Sequence, residues 1–398
     1  MKPLDGIRLI DLTHMLAGPH CTMMLTDLGA EAIMIEPPGR GAATRALYAN
    51  TPDGNIDGVG ANILTQSRGK KSVTLDLKAP AGLELFYALV QTADVVVNNF
   101  SPGVTERLKI DYAALSKVNP RIITCSITGF GLTGPHRDRA AFDMVAQAYS
   151  GGMSITGDPK GEPMRAGLPF GDMVGGLHGV IGVLAALQAR QLSGQGQDVD
   201  ISMLDGQLSM WNHIATYYFL SGVQQPHMGN EHFLHMPYGV YKARDMYIAI
   251  ATVTDAQHRS VVEVLDNPRL LDEQTSLNRQ WRVSHRDEMN ALIRAEVAKW
   301  NAHDLLAALQ PLGVPCAPVN SMQQAMEDPQ GLSRRMVVEQ TFHGRTFKML
   351  GNPIKLCGTP CEDFGPSPML GEHTREVLRE LLGKTDAELD DYAARGVI

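Results

Sequence analysis

The sequence predicts an α/β fold: a mostly parallel sheet covered on both faces by helices, with a second, smaller α+β domain. Three observations carry this reading. Short β-branched runs alternate with amphipathic helical stretches through the first half of the chain, the pattern of β-α-β units. The strand candidates are continuous apolar runs rather than alternating ones, as expected of strands buried on both faces. At 398 residues the chain exceeds the usual size of one domain, and its patterning changes near Tyr238.

The elements follow in order. Ile7 to Leu12 is the first strand, and Cys21 to Leu28 a helix stopped by Gly29. Ala32 to Glu36 is the second strand, ended by Pro37-Pro38-Gly39. A helix over 79–91 feeds the strand Asp94–Asn98, and a helix over 112–117 feeds the strand Arg121–Ser126. A small-residue run from Met173 to Arg190 reads as a tightly packed helix, followed by the strand Asp198–Ser202 and one long helix to about Leu220. Residues 221–237, rich in His, Gly and Pro, read as a linker. The smaller domain then covers 238–335, with a hairpin over 241–250 and helices over 256–265 and 286–310. Antiparallel strands over 336–357 and a helix from Thr374 to Leu382 close the chain.

Composition excludes several function classes. The formal net charge of -8 argues against nucleic-acid binding, which needs a basic face; a small anionic ligand remains compatible with a local basic cluster. Five cysteines, an odd number without a C-x-x-C pair, argue against a disulfide framework. The first residues lack the apolar run of a signal peptide, and apolar stretches such as Val180–Leu187 are shorter than a membrane span. A cytoplasmic protein with no membrane partner is therefore expected.

Ligands of open parallel sheets sit at the carboxyl ends of the strands, so chemistry is sought in the loops after residues 12, 36, 98 and 126. The first of these turns, Thr13 to Gly18, lacks the G-x-G-x-x-G fingerprint of dinucleotide binding. Thirteen histidines include His227, His232 and His235, yet none has paired metal-ligand spacing; no metal is expected. Asp172 is the most informative acid. Gly175, Gly179, Gly182 and Ala186 follow it at helical spacing, giving a face that permits close backbone packing. An acid at that helix start is held ionised by free N–H groups and the helix dipole. It serves either as an ordinary cap or as a carboxylate nucleophile. Arg68, Lys70 and Lys71 likewise form either a solvated turn or an anion site.

Several segments together resemble the class III CoA-transferase family, which includes formyl-CoA transferase and carnitine CoA-transferase. They are Leu4–Pro19, Leu28–Glu36, Arg68–Asp76, Asn99–Gly103, Thr128–Pro135, Gly171-Asp172, Gly194–Gln197 and Gly371–Thr374. The resemblance implies a Rossmann-like large domain (1–220) completed by the C-terminal part (336–398), and a homodimer of two chains interlinked like rings. It implies that Asp172 is the nucleophile, that no cofactor is tightly bound and that coenzyme A enters as an acyl-CoA substrate. His14 and Ala17 match the loop lining the acyl and CoA site, while Arg40, Arg68, Lys70 and Lys71 are the expected phosphate-binding cations. Asn99 would orient the pantetheine, Phe100 shield the thioester, and Arg107 match an arginine of the CoA site. Asp143 matches an acid beside the nucleophile, and Arg139 would offset its charge. Leu16 replaces a glutamine of formyl-CoA transferase, so the acyl group is expected to differ from formyl; succinyl-CoA and a small dicarboxylic acid are the expected donor and acceptor. Met228-Gly229-Asn230 is the nearest candidate for the family's glycine-rich lid. The related 2-methylacyl-CoA racemases carry a Gly-His-Asp motif where this chain has Ala141-Phe142-Asp143, and phenylalanine exchanges no proton. A non-catalytic acyl-CoA-binding protein would be expected to lack the nucleophile.

Overall fold

A computed structural model describes residues 1–232 and 235–398, so positions 233 and 234 of the expected linker lie outside the described residues. The chain divides into two compact units, one of Met1–Gly152, Ala166–Ser221 and Pro329–Ile398, the other of Met153–Arg165 and Gly222–Asp328. Residues 153–165, which the sequence reading assigns to the large domain, belong to the second unit.

The strands of the first unit are β1 (Arg8–Asp11), β2 (Glu31–Glu36), a short hairpin of β3 (Asn55–Ile56) and β4 (Val59–Gly60), β5 (Lys71–Thr74), β6 (Val95–Asn98), β7 (Ile123–Thr128) and β8 (Asp198–Ser202). Six of them form one parallel sheet in the order β5-β2-β1-β6-β7-β8. Strand order reverses between β1 and β6, which makes the crevice beyond their carboxyl ends the place where such a sheet binds ligands. The helices are α1 (Ala17–Asp27), α2 (Ala61–Gln66), α3 (Pro80–Thr92), α4 (Val104–Leu108), α5 (Tyr112–Val118), α6 (Asp143–Tyr149), α7 (Phe170–Ser193), α8 (Met203–Ser209) and α9 (Asn212–Ser221). One core lies between the sheet, α1 and α7, around Leu9, Cys21, Val97, Ile127, Val180 and Val183. On the opposite face Ile10, Ile33, Val96, Phe86 and Leu89 pack with Val377, Leu378 and Leu389 of the C-terminal helices Thr374–Leu382 and Asp386–Ala394.

Three expected elements differ. Helix α1 begins at Ala17 rather than Cys21, because Gly18 and Pro19 occupy its first turn, where proline lacks no partner. The expected single helix to residue 220 is broken into α8 and α9 at Asn212, which takes a left-handed φ of 44°, while the Trp211 indole N–H donates to the Ser150 carbonyl. The expected helix 286–310 is likewise two, Arg286–Val297 and Ala302–Leu309. By length and composition α7 could span a bilayer, although the sequence reading found only shorter apolar runs; half of its most apolar window is buried in the chain's own core.

The second unit carries a three-stranded sheet, with β9 (Tyr238–Lys242), β10 (Tyr247–Ala251) and β11 (Cys316–Pro318) in the order β11-β10-β9. Its core gathers Tyr241, Ile248, Val261, Met289, Ile293 and Leu305.

Candidate active site

Two loops meet at the strand-order reversal. After β1, the backbone N–H of His14 donates to Asn99 Oδ1 (2.8 Å), and Asn99 Nδ2 donates back to the His14 carbonyl (2.7 Å). Both ends of the Asn99 amide are thereby used, so this side chain clasps two loops together; the sequence reading had it orienting pantetheine. Below the clasp, Asp11 is buried and receives Lys70 Nζ (2.8 Å), Thr22 Oγ1 (2.7 Å) and Thr13 N and Oγ1 (2.8 and 2.6 Å). Burial works to raise its pKa, but the Lys70 charge and these donors hold it below the ordinary carboxylate value. The network is fully satisfied, and it ties β1, α1 and the start of β5 into one rigid support.

A cavity of about 750 Å³ opens beyond β1, β2, β5 and β6. His14 and Phe100 line it, their rings 5.4 Å apart. The His14 Nδ1 is buried without a hydrogen-bond partner, and burial is the main cause that lowers its pKa, keeping the ring neutral. The cavity's cations are Arg40 and Lys78. Glu36 also lines it, but its carboxylate is neutralised by Arg45, which donates through Nε (2.6 Å) and Nη2 (2.7 Å).

The expected basic cluster does not reach this cavity. Arg68 is 2% exposed, paired with Asp27 and placed over the Phe364 ring at 4.1 Å. Lys70 is held by Asp11 and Lys71 by Glu376 at 2.9 Å. Arg68 and Lys70 are buried in ion pairs with carboxylates far away in sequence, which corrects their assignment as phosphate ligands, while Lys71 is paired at the surface. Lys78, which the sequence reading missed, has a positional signal in the loop after β5. Arg107 is exposed on α4 beside the cavity residue Leu108 but is not itself in the lining.

Asp172 sits at the third position of α7. Its neighbour Asp143 opens α6, and Asp143 Oδ1 accepts from the N–H groups of Gly171 (2.7 Å) and Asp172 (3.3 Å). Asp143 therefore takes the donors of the helix start that were expected to hold Asp172 ionised. Burial first, and the Asp143 charge second, push the Asp172 carboxyl up to about 6, which corrects the expected electrostatics. Arg139 does not offset the pair: its guanidinium lies over the rings of Phe130 (5.7 Å) and Tyr149 (5.4 Å). A Cβ at Gly171 would stand 2.7 Å from Gln207 Nε2 and 3.1 Å from Asp143 Oδ1, so a side chain there would displace the Gln207 amide. One turn on, a Cβ at Gly176 would stand 2.8 Å from the Ala17 carbonyl oxygen. Ala17 is thus a buried packing residue, and through it the His14 loop of the cavity meets the helix carrying Asp172.

A doubly wound parallel sheet, a cavity with two cations at its reversal point and a partly buried carboxylate with a raised pKa near the start of α7 give the layout of an α/β enzyme with a candidate anion site. The model of CoA-transferase family III matches residues 4–374, and the chain belongs to that family. It is a CoA-transferase, acting on CoA thioesters and carboxylic acids. It is similar to succinate–glutarate CoA-transferase of Agrobacterium fabrum (38% identical, covering 95% of this chain and 96% of the relative). It also resembles succinyl-CoA:mesaconate CoA-transferase of Haloarcula marismortui (35% identical, covering 98% and 100%). Among solved structures, a CAIB/BAIF family protein from Brucella suis superposes with a TM-score of 0.85 at 35% identity, covering 96% of this chain and 99% of that one.

Proposed function

We propose that the protein transfers CoA from succinyl-CoA to a small dicarboxylic acid through covalent intermediates on Asp172. The observation that carries this reading is the Asp172 carboxylate near the start of α7, a helix whose Gly176 packs on Ala17, three residues beyond the cavity residue His14. Asp172 attacks the donor thioester carbonyl, the C–S bond breaks, and CoA thiolate leaves an aspartyl-succinyl anhydride. The thiolate attacks the aspartyl carbonyl, releasing succinate and leaving an aspartyl-CoA thioester. The acceptor carboxylate attacks that thioester, expelling thiolate and forming a second anhydride. Thiolate then takes the acceptor acyl group and frees Asp172. Each step conserves the activation of the thioester.

The CoA phosphates meet Arg40 and Lys78, and the chain of the cofactor passes Phe100 and His14 toward Ala17. The succinyl donor is supported by the names of relatives acting on succinate with glutarate, mesaconate or malate. Five free cysteines support placement in a reducing cytoplasm. A homodimer is the working form: no residue of α9 is buried in the chain, and Phe219 and Leu220, 80% and 84% exposed, are apolar neighbours suited to a partner surface.

The test is intact-mass measurement after incubation with succinyl-CoA and acid quench, alongside a screen of glutarate, mesaconate, malate and oxalate as acceptors. The expected result is an adduct on Asp172 that Asp172→Asn does not form. Full turnover by Asp172→Asn would refute the mechanism; transfer from acetyl-CoA alone would refute the donor.

A further inference from the structure

Behind the two carboxylates lies a residue to which the sequence assigns no role. Gln147 is 4% exposed and sits one turn after Asp143 on α6. Its Nε2 donates to Asp143 Oδ2 at 2.8 Å, and its Oε1 accepts from the backbone N–H of Ala166 at 2.8 Å. The amide orientation is thus fixed from both ends. With Oδ2 held, Oδ1 of Asp143 faces the Gly171 and Asp172 N–H groups at 2.7 and 3.3 Å. The chain of bonds runs from the segment entering α7, through Gln147 and Asp143, back to the first turn of the same helix.

We propose that Gln147 is a positioning residue for the nucleophile, locking the rotation of the Asp143 carboxylate and through it the start of α7 that presents Asp172. This rests on the reading of Asp172 as the nucleophile. A carboxylate with a free side-chain torsion would release one of the two N–H groups, and the acid would lose its defined place. Charged or titratable groups on the packed elements are Asp172, His178 and Arg190 on α7 and Asp205 on α8, with Arg139 in the preceding loop; of the surrounding charges, that of Asp143 is the one acting on Asp172.

Two variants of the full chain test the proposal, using succinyl-CoA with whichever of glutarate, mesaconate, malate or oxalate turns over fastest. Gln147→Leu removes the donor and frees the torsion of the Asp143 carboxylate, so kcat at its plateau should fall roughly 5- to 50-fold with KM for the CoA ester unchanged. Gln147→Glu keeps the acceptor for Ala166 and sets a third carboxylate in the cluster, so the acid limb of the kcat profile should move to higher pH. A purely structural role would lower the active fraction of both variants and leave the acid limb of Gln147→Glu in place. Unmoved limbs in folded Gln147→Glu, with the Asp172 adduct still forming, would overturn the positioning role alone. Turnover by Asp172→Asn would instead overturn the reading on which it rests.

Discussion

Asp172 is stabilised in its neutral form by burial and by Asp143, and this has opposite consequences for folding and for catalysis. A carboxyl raised to about 6 contributes stability that is present below the ordinary range near 4 and lost as pH rises through 6. At pH 8 the ionised side chain therefore costs about 1–3 kcal/mol. Asp172→Asn is expected to unfold at higher denaturant than the wild type at pH 8 and to lose that advantage near pH 4, as urea titrations at the two pH values would show. Catalysis needs the ionised form, so kcat/KM should fall on the acid side with a midpoint near 6. A flat profile from pH 5 to 8 would contradict the nucleophile's placement. The cavity cations act differently: Arg40→Ala and Lys78→Ala should each raise KM for the CoA ester roughly 5- to 30-fold with kcat preserved, since phosphate contacts far from the reacting carbonyl bind ground and transition state alike. Steady-state kinetics at low and high salt would separate this effect, which salt weakens.

Helix α7 carries the site because its glycines let it approach α1 and β7. At Gly176 an added methyl group would stand 2.8 Å from the Ala17 carbonyl oxygen, and at Gly179 it would meet Ile127 Cδ1 at 2.8 Å and Cys21 Sγ at 3.0 Å. The backbone oxygen has nowhere to move, so Gly176→Ala should destabilise by about 1–3 kcal/mol, measurable as a lower unfolding midpoint, and displace the His14 loop. The small-residue spacing that predicts this packing was legible in the sequence, as were the runs Glu31–Glu36 and Val95–Asn98, because a buried parallel strand leaves an unbroken apolar signature. The fate of Arg68, Lys70 and Asn99 was not legible. A cation before a strand looks the same whether it meets a phosphate or a carboxylate, and Asp27 and Asp11 are brought to Arg68 and Lys70 only by the tertiary fold. The break between α8 and α9 was hidden for a similar reason: Trp211 fits a helix by propensity, and only the Ser150 carbonyl gives its indole a reason to turn away. The role of Gln147 was not legible, since a glutamine one turn after Asp143 on a short helix is ordinarily solvated.

For the whole molecule, the proposed homodimer would cover the exposed apolar residues of α9 and of the outer face of α7, where Ile181 is 62% exposed. Sedimentation velocity is expected to report a dimer across micromolar dilution, and the double change Phe219→Asp with Leu220→Asp to yield monomer or aggregate without altering the Asp143–Asp172 arrangement. Persistence of the dimer in that variant would place the interface elsewhere. The first unit is assembled from three separate stretches of chain, and its last stretch is essential to the cavity: Gly396 is part of the wall, and the Asp76 N–H donates to the Val397 carbonyl at 2.8 Å. The chain passes through the second unit before it returns to finish the first. A ribosome that has already made Asp172, the Asn99 clasp, Arg40 and Lys78 thus holds a chain whose cavity is open on one side, and that side closes only after the whole second unit has been synthesised.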